Sequence, residues 1–571
     1  MSIHTRTMAH LQASGISLEE YVYHAALTRA QPIEPQPSAI SRGWTSIFNS
    51  KPAVIDGISE TPVERSRDMA YDEGKISKDP VPTGKGAVPI ELSTHASNNS
   101  TVSTEEWEQA SRAGRTASWG AIFYLTVTDI LGPTSAPWAM AQMGYGLGTA
   151  MYVIFGVFAA LGGYILWRIF LTLDSHRYPL RTFSDAAFRI FGKWASHTVN
   201  VMQTVQLFFF VCIITISNGQ GLSQITGGRV CFIILCFIWA LAGMIGGQIR
   251  TLQRLSWLSS IAVWLNIFLI VATMVAVSHT PPNYAAALTS NGMEEGPVIF
   301  TAGPPPGTPF YNQIVGLAQA FLSWGGSMMF IEFMSEMRRP MDFWKGMILA
   351  QIFILVVYVT FGVVVFKYQG QFAINPAMQG ISTYTWQTVT NSVFLVSGLI
   401  AACLYGNISI KVLYQTIMID LLNLPPLSSK KGKWIWVGLV PIYWSIAFLI
   451  GSAIPQVSNL SGLVASICVL QFSYTFPPLL QLGLNLQIDG MLPEAGEGFD
   501  PVTGVTTRTD RGMKRWLRAY MKKPLLNTFN ILFMLASISI AVLGIWASCV
   551  GLKLAYATRP KSSFSCSSPV L

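Results

Sequence analysis

Charged side chains are scarce in this sequence, and their scarcity excludes most soluble folds. Only 11% of the residues are Asp, Glu, Lys or Arg, while 51% are hydrophobic. Ordinary soluble domains carry about 25% charged residues. The net charge of +9 does not indicate nucleic-acid binding, because the basic excess falls mostly in short loops between apolar segments. The composition therefore predicts a membrane protein in contact with a lipid bilayer.

Paired cysteines and clustered histidines are also lacking. Six of the seven cysteines lie in apolar stretches without CxxC spacing: Cys212, Cys231, Cys236, Cys403, Cys468 and Cys549. This placement favours small hydrophobic residues over disulfides or zinc ligands. The seven histidines fall in the N-terminal tail, in loops or at a helix end. We therefore expect no enzyme, no metal site and no cofactor.

The first 118 residues differ in character from the rest of the chain. They are rich in Ser, Pro, Gly and mixed charge and have no apolar core near the N-terminus, so no cleavable signal peptide is expected. Such a composition buries too little apolar surface to offset chain entropy. We predict a disordered cytoplasmic tail over 1–118, with a short helix near 18–28. Two overlapping glycosylation acceptors, Asn98 and Asn99, would then go unused.

From residue 119 the chain contains eleven apolar segments of about 20 residues, the length needed to span about 30 Å of hydrocarbon. The predicted spans are 119–142, 148–171, 195–217, 229–247, 256–277, 311–335, 346–366, 386–411, 434–453, 459–482 and 527–552. Alternate loops are rich in Lys and Arg, as the positive-inside rule requires of cytoplasmic loops. The N-terminus is thus predicted inside, and the short tail 553–571 outside.

Two of these segments contain breaks at membrane depth. The first has two prolines four residues apart, Pro133 and Pro137, and the sixth has the run Ser323 to Ser327. Broken helices are tolerated where protein or an aqueous cavity covers the freed backbone groups. Breaks five helices apart favour an inverted five-helix repeat, 119–277 and 311–482, followed by an extra helix over 527–552.

In an inverted repeat, such a pair of breaks is a predicted substrate site. Exposed amides and carbonyls at half-helix ends attract the two charges of a zwitterionic amino acid. The small and hydroxylated residues at the breaks are the predicted substrate-binding residues: Gly132, Thr134, Ser135, Ser323, Gly325, Gly326 and Ser327. The alternative is that these segments are simple proline kinks and small-residue packing contacts.

Asp129 is the only charged side chain between Arg115 and Arg168. A carboxylate at the bilayer centre costs about 2.5–3.5 kcal/mol, so such residues usually have a function. Asp129 is a candidate for proton coupling, with a structural hydrogen-bond acceptor or helix cap as the alternative. Five further residues are candidates for the cavity or a gate: Gln203, Gln206, Trp324, Glu332 and Asn407. Helix-to-helix hydrogen bonds and solvated charges are their alternative roles.

At these same residues the sequence resembles a known family. Pro137-Trp138-Ala139 followed by Gly144-Tyr145 is similar to the first helix of the amino acid/auxin permease family, in its fungal neutral amino-acid branch. Glu336 to Phe343 is similar to the end of the sixth helix. Trp138 stands where the family commonly has Tyr, and Pro133 adds a second break. The resemblance covers about 118–552 and implies the fold of amino-acid, polyamine and organocation transporters.

The resemblance implies proton-driven symport of amino acids by alternating access, with a proton gradient as the energy source. It favours uptake at the plasma membrane. An exporter or an organellar carrier, for example vacuolar, of an amino-acid-derived metabolite is the alternative within transport. A permease-like sensor is the alternative outside transport. The oligomeric state is not predicted.

Overall fold

The computed structural model describes residues 15–30, 115–250, 252–419, 422, 424–425, 427, 429–454, 456–510, 512–558 and 564–571, with backbone only at 252–260. In chain order, the first helices are α1 (Leu18–Ala30), α2 (Trp119–Ile130), α3 (Ala136–Met143), α4 (Tyr145–Leu173), α5 (Phe183–Phe191), α6 (Lys193–Ile225), α7 (Phe232–Gly246), α8 (Leu252–His279) and α9 (Tyr284–Asn291). The later helices are α10 (Phe310–Leu322), α11 (Phe330–Glu336), α12 (Phe343–Gln369), α13 (Tyr384–Leu413), α14 (Lys430–Ala453), α15 (Val457–Val464), α16 (Phe476–Asp489), α17 (Met513–Lys522) and α18 (Pro524–Thr558). A small hairpin of β1 (Gly498–Phe499) and β2 (Thr506–Thr507) precedes α17.

Nine helical segments of the described chain are long and apolar enough to cross a membrane: Tyr145–Leu173, Lys193–Ile225, Ile261–His279, Phe310–Glu336, Pro340–Phe372, Tyr384–Leu413, Lys430–Ala453, Val457–Asp489 and Pro524–Ala557. Each overlaps one of the predicted spans. The other two predicted spans correspond to the interrupted segment Trp119–Met143 and to the shorter apolar helix α7. The count of eleven stays a prediction.

The predicted discontinuities in the first and sixth segments are confirmed. In the first, α2 ends at Ile130, Leu131 and Gly132 leave the helical conformation, and a short 3-10 turn over Pro133–Ser135 leads into α3. The prolines have no N–H to continue the α-helical ladder. In the sixth, α10 ends at Leu322 and a 3-10 turn over Gly325–Met329 precedes α11. The all-α membrane architecture is as predicted, whereas the repeat boundaries stay a prediction.

Helix packing places the first break at the centre of the bundle. Helix α12 packs along α2, α3 and α4, while α8 contacts α2 and α12. A large hydrophobic cluster surrounds these helices, with Ala136, Met140 and Phe361 among its buried members. The broken backbone is therefore held between long continuous helices, which can supply partners for its free polar groups.

Part of the tail is ordered against the membrane helices. Helix α1 covers the short helix predicted near 18–28, and its Glu19 forms a two-point ion pair with Arg508. The guanidinium of Arg189 lies 4.4 Å from the centre of the Tyr21 ring. The predicted disorder of the other tail residues, and the fate of Asn98 and Asn99, lie outside the described residues.

One cysteine interpretation is wrong. Cys231, taken as a small hydrophobic residue, forms a disulfide with Cys566, which lies 335 residues later in the sequence. The backbone N–H of Phe232 donates to the carbonyl of Cys566 at 3.1 Å, so the C-terminal segment is also hydrogen-bonded there. Because disulfides persist in oxidising compartments, this pair supports the prediction that the C-terminus lies outside. The other five cysteines are free.

Candidate substrate site

The break in the first span exposes backbone groups, and side chains from two other helices pair with them. Tyr358 of α12 donates its hydroxyl proton to the Ile130 carbonyl at 2.9 Å and accepts from the Gly132 N–H at 3.2 Å. Asn266 of α8 donates to the Leu131 carbonyl at 3.1 Å. Gly132 itself is exposed, so the break borders open space. The sequence analysis did not single out either partner.

Asp129 lies directly beside the second break. A methyl group placed on Gly326 would come within 3.1 Å of the Asp129 carboxylate and 2.5 Å of the Ile130 side chain. The Tyr405 hydroxyl lies 3.5 Å from the Asp129 carbonyl oxygen. Among the described residues, none forms an ion pair with the Asp129 carboxylate. Only a residue without a side chain at 326 allows this approach, so the structure brings Asp129 of the first span next to Gly326 of the sixth.

The break in the sixth span is more enclosed than the first. Ser323 donates back to the Gln319 carbonyl at 2.8 Å, and the Trp324 carbonyl accepts from Ser473 at 3.1 Å. Within the described part of the chain, the buried Ser327 hydroxyl and the Trp324 indole N–H have no hydrogen-bond partner. Gly325 faces Val469. Two unpaired donors at the second break could therefore serve a polar ligand.

Three tyrosines surround the two breaks. The rings of Tyr152 in α4 and Tyr358 in α12 lie 5.9 Å apart. Tyr405 in α13 adds a third hydroxyl near Asp129. A buried tyrosine usually needs a hydrogen-bond partner for its hydroxyl. Tyrosines in the middle of apolar spans were therefore the sequence signal that could have indicated these site residues. That signal identifies candidates but not which backbone groups they contact.

Other predicted residues lie elsewhere or have other partners. Thr134 and Ser135 are half-buried on the 3-10 turn of the first break. Asn407 donates to the carbonyl of Ile249, in the loop after α7, at 2.6 Å. Glu332, three residues after the turn of the second break, interacts with Gln203 and with the Phe183 backbone at the start of α5. Gln206 is fully buried, and its amide has no hydrogen-bond partner among the described residues.

An ion pair and two backbone hydrogen bonds lie where the first broken span begins and the sixth ends. Arg115 forms a two-point ion pair with the buried Asp174, at 2.7 and 2.8 Å. Burial acts to raise the pKa of Asp174, but Arg115, with Arg29 and the Leu180 N–H, holds that pKa below its ordinary value. Two residues after Arg115, the backbone N–H of Ala117 donates to the backbone carbonyl of Glu336 at the end of α11. The Ala117 carbonyl accepts from the backbone N–H of Arg338.

The outer half of the first span contacts different neighbours. Trp138, the residue that departs from the family pattern, is buried with Val315 of α10 and Ala547 of α18. At the end of α3, Gly144 adopts φ +81°, where a side chain would collide with the Gly303 carbonyl. Trp138 therefore belongs to a helix interface rather than to the space beside Gly132.

Comparison with known proteins identifies the family. The model of the family "Transmembrane amino acid transporter protein" matches residues 115–487. A "Transmembrane transporter" of Gibberella moniliformis is 25% identical over 379 residues, covering 64% of this chain and 75% of the relative. An "N amino acid transport system protein" of Neurospora crassa is 22% identical over 364 residues, covering 61% and 72%.

Solved structures of Mhp1 are also similar. An inward-facing form is 12% identical, with a TM-score of 0.43, over 78% of this chain and 92% of Mhp1. A closed form with bromovinylhydantoin bound, described as a nucleobase-cation-symport-1 family transporter, is 13% identical, with a TM-score of 0.44, over 78% and 94%. The family match covers more than half of the sequence, so this chain belongs to the transmembrane amino acid transporter family and is an integral membrane transporter.

Proposed function

We propose that the protein is a secondary active transporter that takes up neutral amino acids by proton-coupled symport. The amino and carboxylate groups of the substrate bind the non-helical backbone groups at the breaks and take the place of their present side-chain partners. Asp129 carries the coupled proton. The Neurospora relative, named as an amino acid transport system protein, supports an amino-acid substrate.

The observation that carries this proposal is the contact between Asp129 and Gly326. It places an ionisable side chain, with no ion-pair partner among the described residues, at the point where both broken spans meet. A proton on Asp129 removes the cost of a charge at this depth. Loading and release of that proton can therefore favour different arrangements of the two spans, which is the requirement for coupling.

The inner-end contacts supply the other requirement of alternating access. Arg115–Asp174 and the Ala117 hydrogen bonds tie the start of α2 to the loop after α4 and to the end of α11. In alternating access, one bundle rocks against another around a fixed site. We propose that these contacts close the inner end and separate when the substrate is released inward.

Reconstituted protein tests the proposal. Proteoliposomes with an imposed pH gradient are assayed with a panel of labelled amino acids, using wild type, Asp129→Asn and the control Asp342→Asn. Asp342 pairs with Lys345 on the protein surface, away from both breaks. We expect accumulation of neutral amino acids driven by the gradient in wild type and in the control. Asp129→Asn should exchange substrate across the membrane but no longer accumulate it.

Three outcomes would reject parts of this proposal. If no amino acid moves while substrate still binds, the protein is a sensor rather than a transporter. If Asp129→Asn responds to the gradient as wild type does, Asp129 is not the coupling residue. If only amino-acid-derived metabolites leave loaded vesicles, the protein is an exporter. Placement at the plasma membrane, rather than at the vacuole, is tested by imaging the tagged full-length chain in fungal cells.

A further inference from the structure

Helix α17 has an apolar face that the rest of the described protein leaves uncovered. Its residues Met513, Trp516, Leu517 and Met521 follow the i, i+3, i+4, i+8 spacing of one helix face. Their side chains are 83%, 43%, 59% and 63% exposed. An exposed apolar stripe of this kind on a soluble surface would favour aggregation, so it indicates a contact with something apolar.

The other face of α17 is fixed to the protein. Arg515 pairs with Glu497 at 3.1 Å, and Arg518 pairs with Asp510 at 2.7 Å. Ala519 is fully buried beneath the helix. The Thr509 hydroxyl, followed by backbone amides and Arg515, lowers the pKa of Glu497 to about 2, so this acceptor stays charged. The orientation of the helix is thus set by ion pairs, and its apolar face is held outward.

Position along the chain identifies what covers that face. Only Lys523 separates α17 from α18, which is long and apolar enough to cross a membrane. Beyond Lys522 and Lys523, apolar side chains of α18 are exposed as well, including Leu525 at 87% and Leu532 at 60%. The exposed apolar face of α17 is therefore followed directly along the chain by a membrane-length helix whose own exposed apolar side chains are suited to lipid.

Charge at the border of the stripe selects the kind of lipid. Lys514 lies about 100° around the helix from Met513, at the edge of the apolar face. It forms no ion pair with a described residue, and Lys522 makes only an exposed contact with the Met491 carbonyl. A helix with an apolar face, a lysine at the edge of that face and a further lysine at its end lies in the headgroup region and attracts anionic lipids.

We propose that α17 is a membrane-surface helix, lying in the plane of the bilayer with its apolar face among the acyl chains. Lys514, at the edge of that face, and Lys522, at the end of the helix, bind anionic lipid headgroups. Through Arg515 and Arg518, the helix then fixes the 497–510 segment at the membrane. This function concerns the lipid, so it does not depend on which substrate the protein carries.

Spin labels on the full-length protein in proteoliposomes test the position of α17. A nitroxide is attached to Leu517→Cys in a Cys549→Ser background, because Cys549 is the exposed free cysteine of the described residues. The matched control is Val502→Cys, an exposed apolar position, 91% accessible, in the β1–β2 loop. We expect the label at 517 to collide mainly with oxygen, which concentrates in the bilayer, and the label at 502 to collide mainly with a water-soluble nickel chelate.

Two results at position 517 would overturn the proposal. Free access of the nickel chelate, as at 502, would place α17 in water. Protection from both reagents would show that protein covers the face, as in association with a second copy of the chain.

The headgroup assignment has its own test. Vesicles of zwitterionic lipid are compared with vesicles containing anionic phospholipid, with and without Lys514→Gln and Lys522→Gln. We expect anionic lipid to shift the 517 label further toward oxygen access, and high salt or the double substitution to abolish that shift. An unchanged shift in the double variant would overturn the assignment of these lysines.

Discussion

Replacing Gly132 by alanine separates contact with the substrate from packing of the helices. A methyl group on Gly132 meets no heavy atom within 4 Å, and its φ of −155° lies outside the left-handed region that favours glycine. The substitution therefore adds a methyl group to open space beside the break. If the substrate backbone occupies that space, the added methyl collides with the substrate and with nothing else.

The expected magnitudes differ sharply between stability and affinity. Replacing a glycine by alanine without strain usually stabilises a protein by about 0.4–1 kcal/mol, because the unfolded chain loses freedom. One methyl group in a substrate pocket changes binding by about 1–3 kcal/mol, or roughly 10- to 200-fold. Gly132→Ala should thus raise the KM for transport at least about tenfold, without lowering the unfolding temperature.

Two further glycine variants make the comparison quantitative. At Gly326 the methyl would lie 2.5 Å from the Ile130 side chain, so Gly326→Ala should lose stability by about 1–3 kcal/mol as well as transport. At Gly438, in α14, a methyl meets nothing within 4 Å and lies away from the breaks, so Gly438→Ala should change neither KM nor transport rate. Thermal unfolding in detergent and uptake by proteoliposomes are measured on the same preparations. An unchanged KM in Gly132→Ala would refute substrate contact with this backbone.

The remaining predictions concern the contacts around this site. Asp174→Asn should lower stability by about 3–5 kcal/mol, because it leaves Arg115 buried without its full partner; thermal unfolding measures the loss. The pKa of Asp174 is lowered in the folded state, so the ion pair stabilises the fold at any pH above the ordinary pKa of an aspartate. This stabilisation is lost as the pH falls through the folded-state pKa. Wild type should lose more stability on acidification than Asp174→Asn, and equal losses would contradict this. Tyr358→Phe should destabilise the substrate-free protein by about 1–3 kcal/mol and enlarge the rise in unfolding temperature on adding substrate; an unchanged rise would show that substrate does not bind these groups. Cys231→Ser and Cys566→Ser should each cost about 2–4 kcal/mol, and the double variant should cost no more than either, whereas additive losses would contradict the disulfide.

The sequence was sufficient to predict features that depend on local chemistry. Prolines four residues apart cannot continue a helix, so the break at Gly132 followed from Pro133 and Pro137 alone. Runs of about 20 apolar residues indicated the membrane segments in the same way. The pairing of a break in the first span with one in the sixth followed from a pattern of discontinuous helices five apart, whereas the approach of Asp129 to Gly326 came only from the structure.

Features that depend on distant partners were not predictable in this way. Nothing in the sequence near Tyr358 indicates that its hydroxyl reaches Gly132, 226 residues earlier. Nor does spacing pair Cys231 with Cys566, since their separation of 335 residues carries no local signal. The same holds for Glu19, whose partner Arg508 lies beyond the tenth predicted span. The packing of the whole chain determines which of many chemically equivalent partners each of these residues contacts.

The pairing of Tyr358 with the first break determines what substrate binding must accomplish. Backbone groups freed inside a membrane must have partners in every state, and without substrate the Tyr358 hydroxyl serves the Ile130 carbonyl and the Gly132 N–H together. A substrate at this position has to replace both of those hydrogen bonds. A zwitterion does so, because its ammonium donates to the carbonyl and its carboxylate accepts from the N–H. A molecule with only one of the two groups leaves a buried partner unsatisfied, at a cost of about 1–3 kcal/mol. Under the proposed function, the break therefore selects the amino-acid headgroup by exchange of hydrogen bonds.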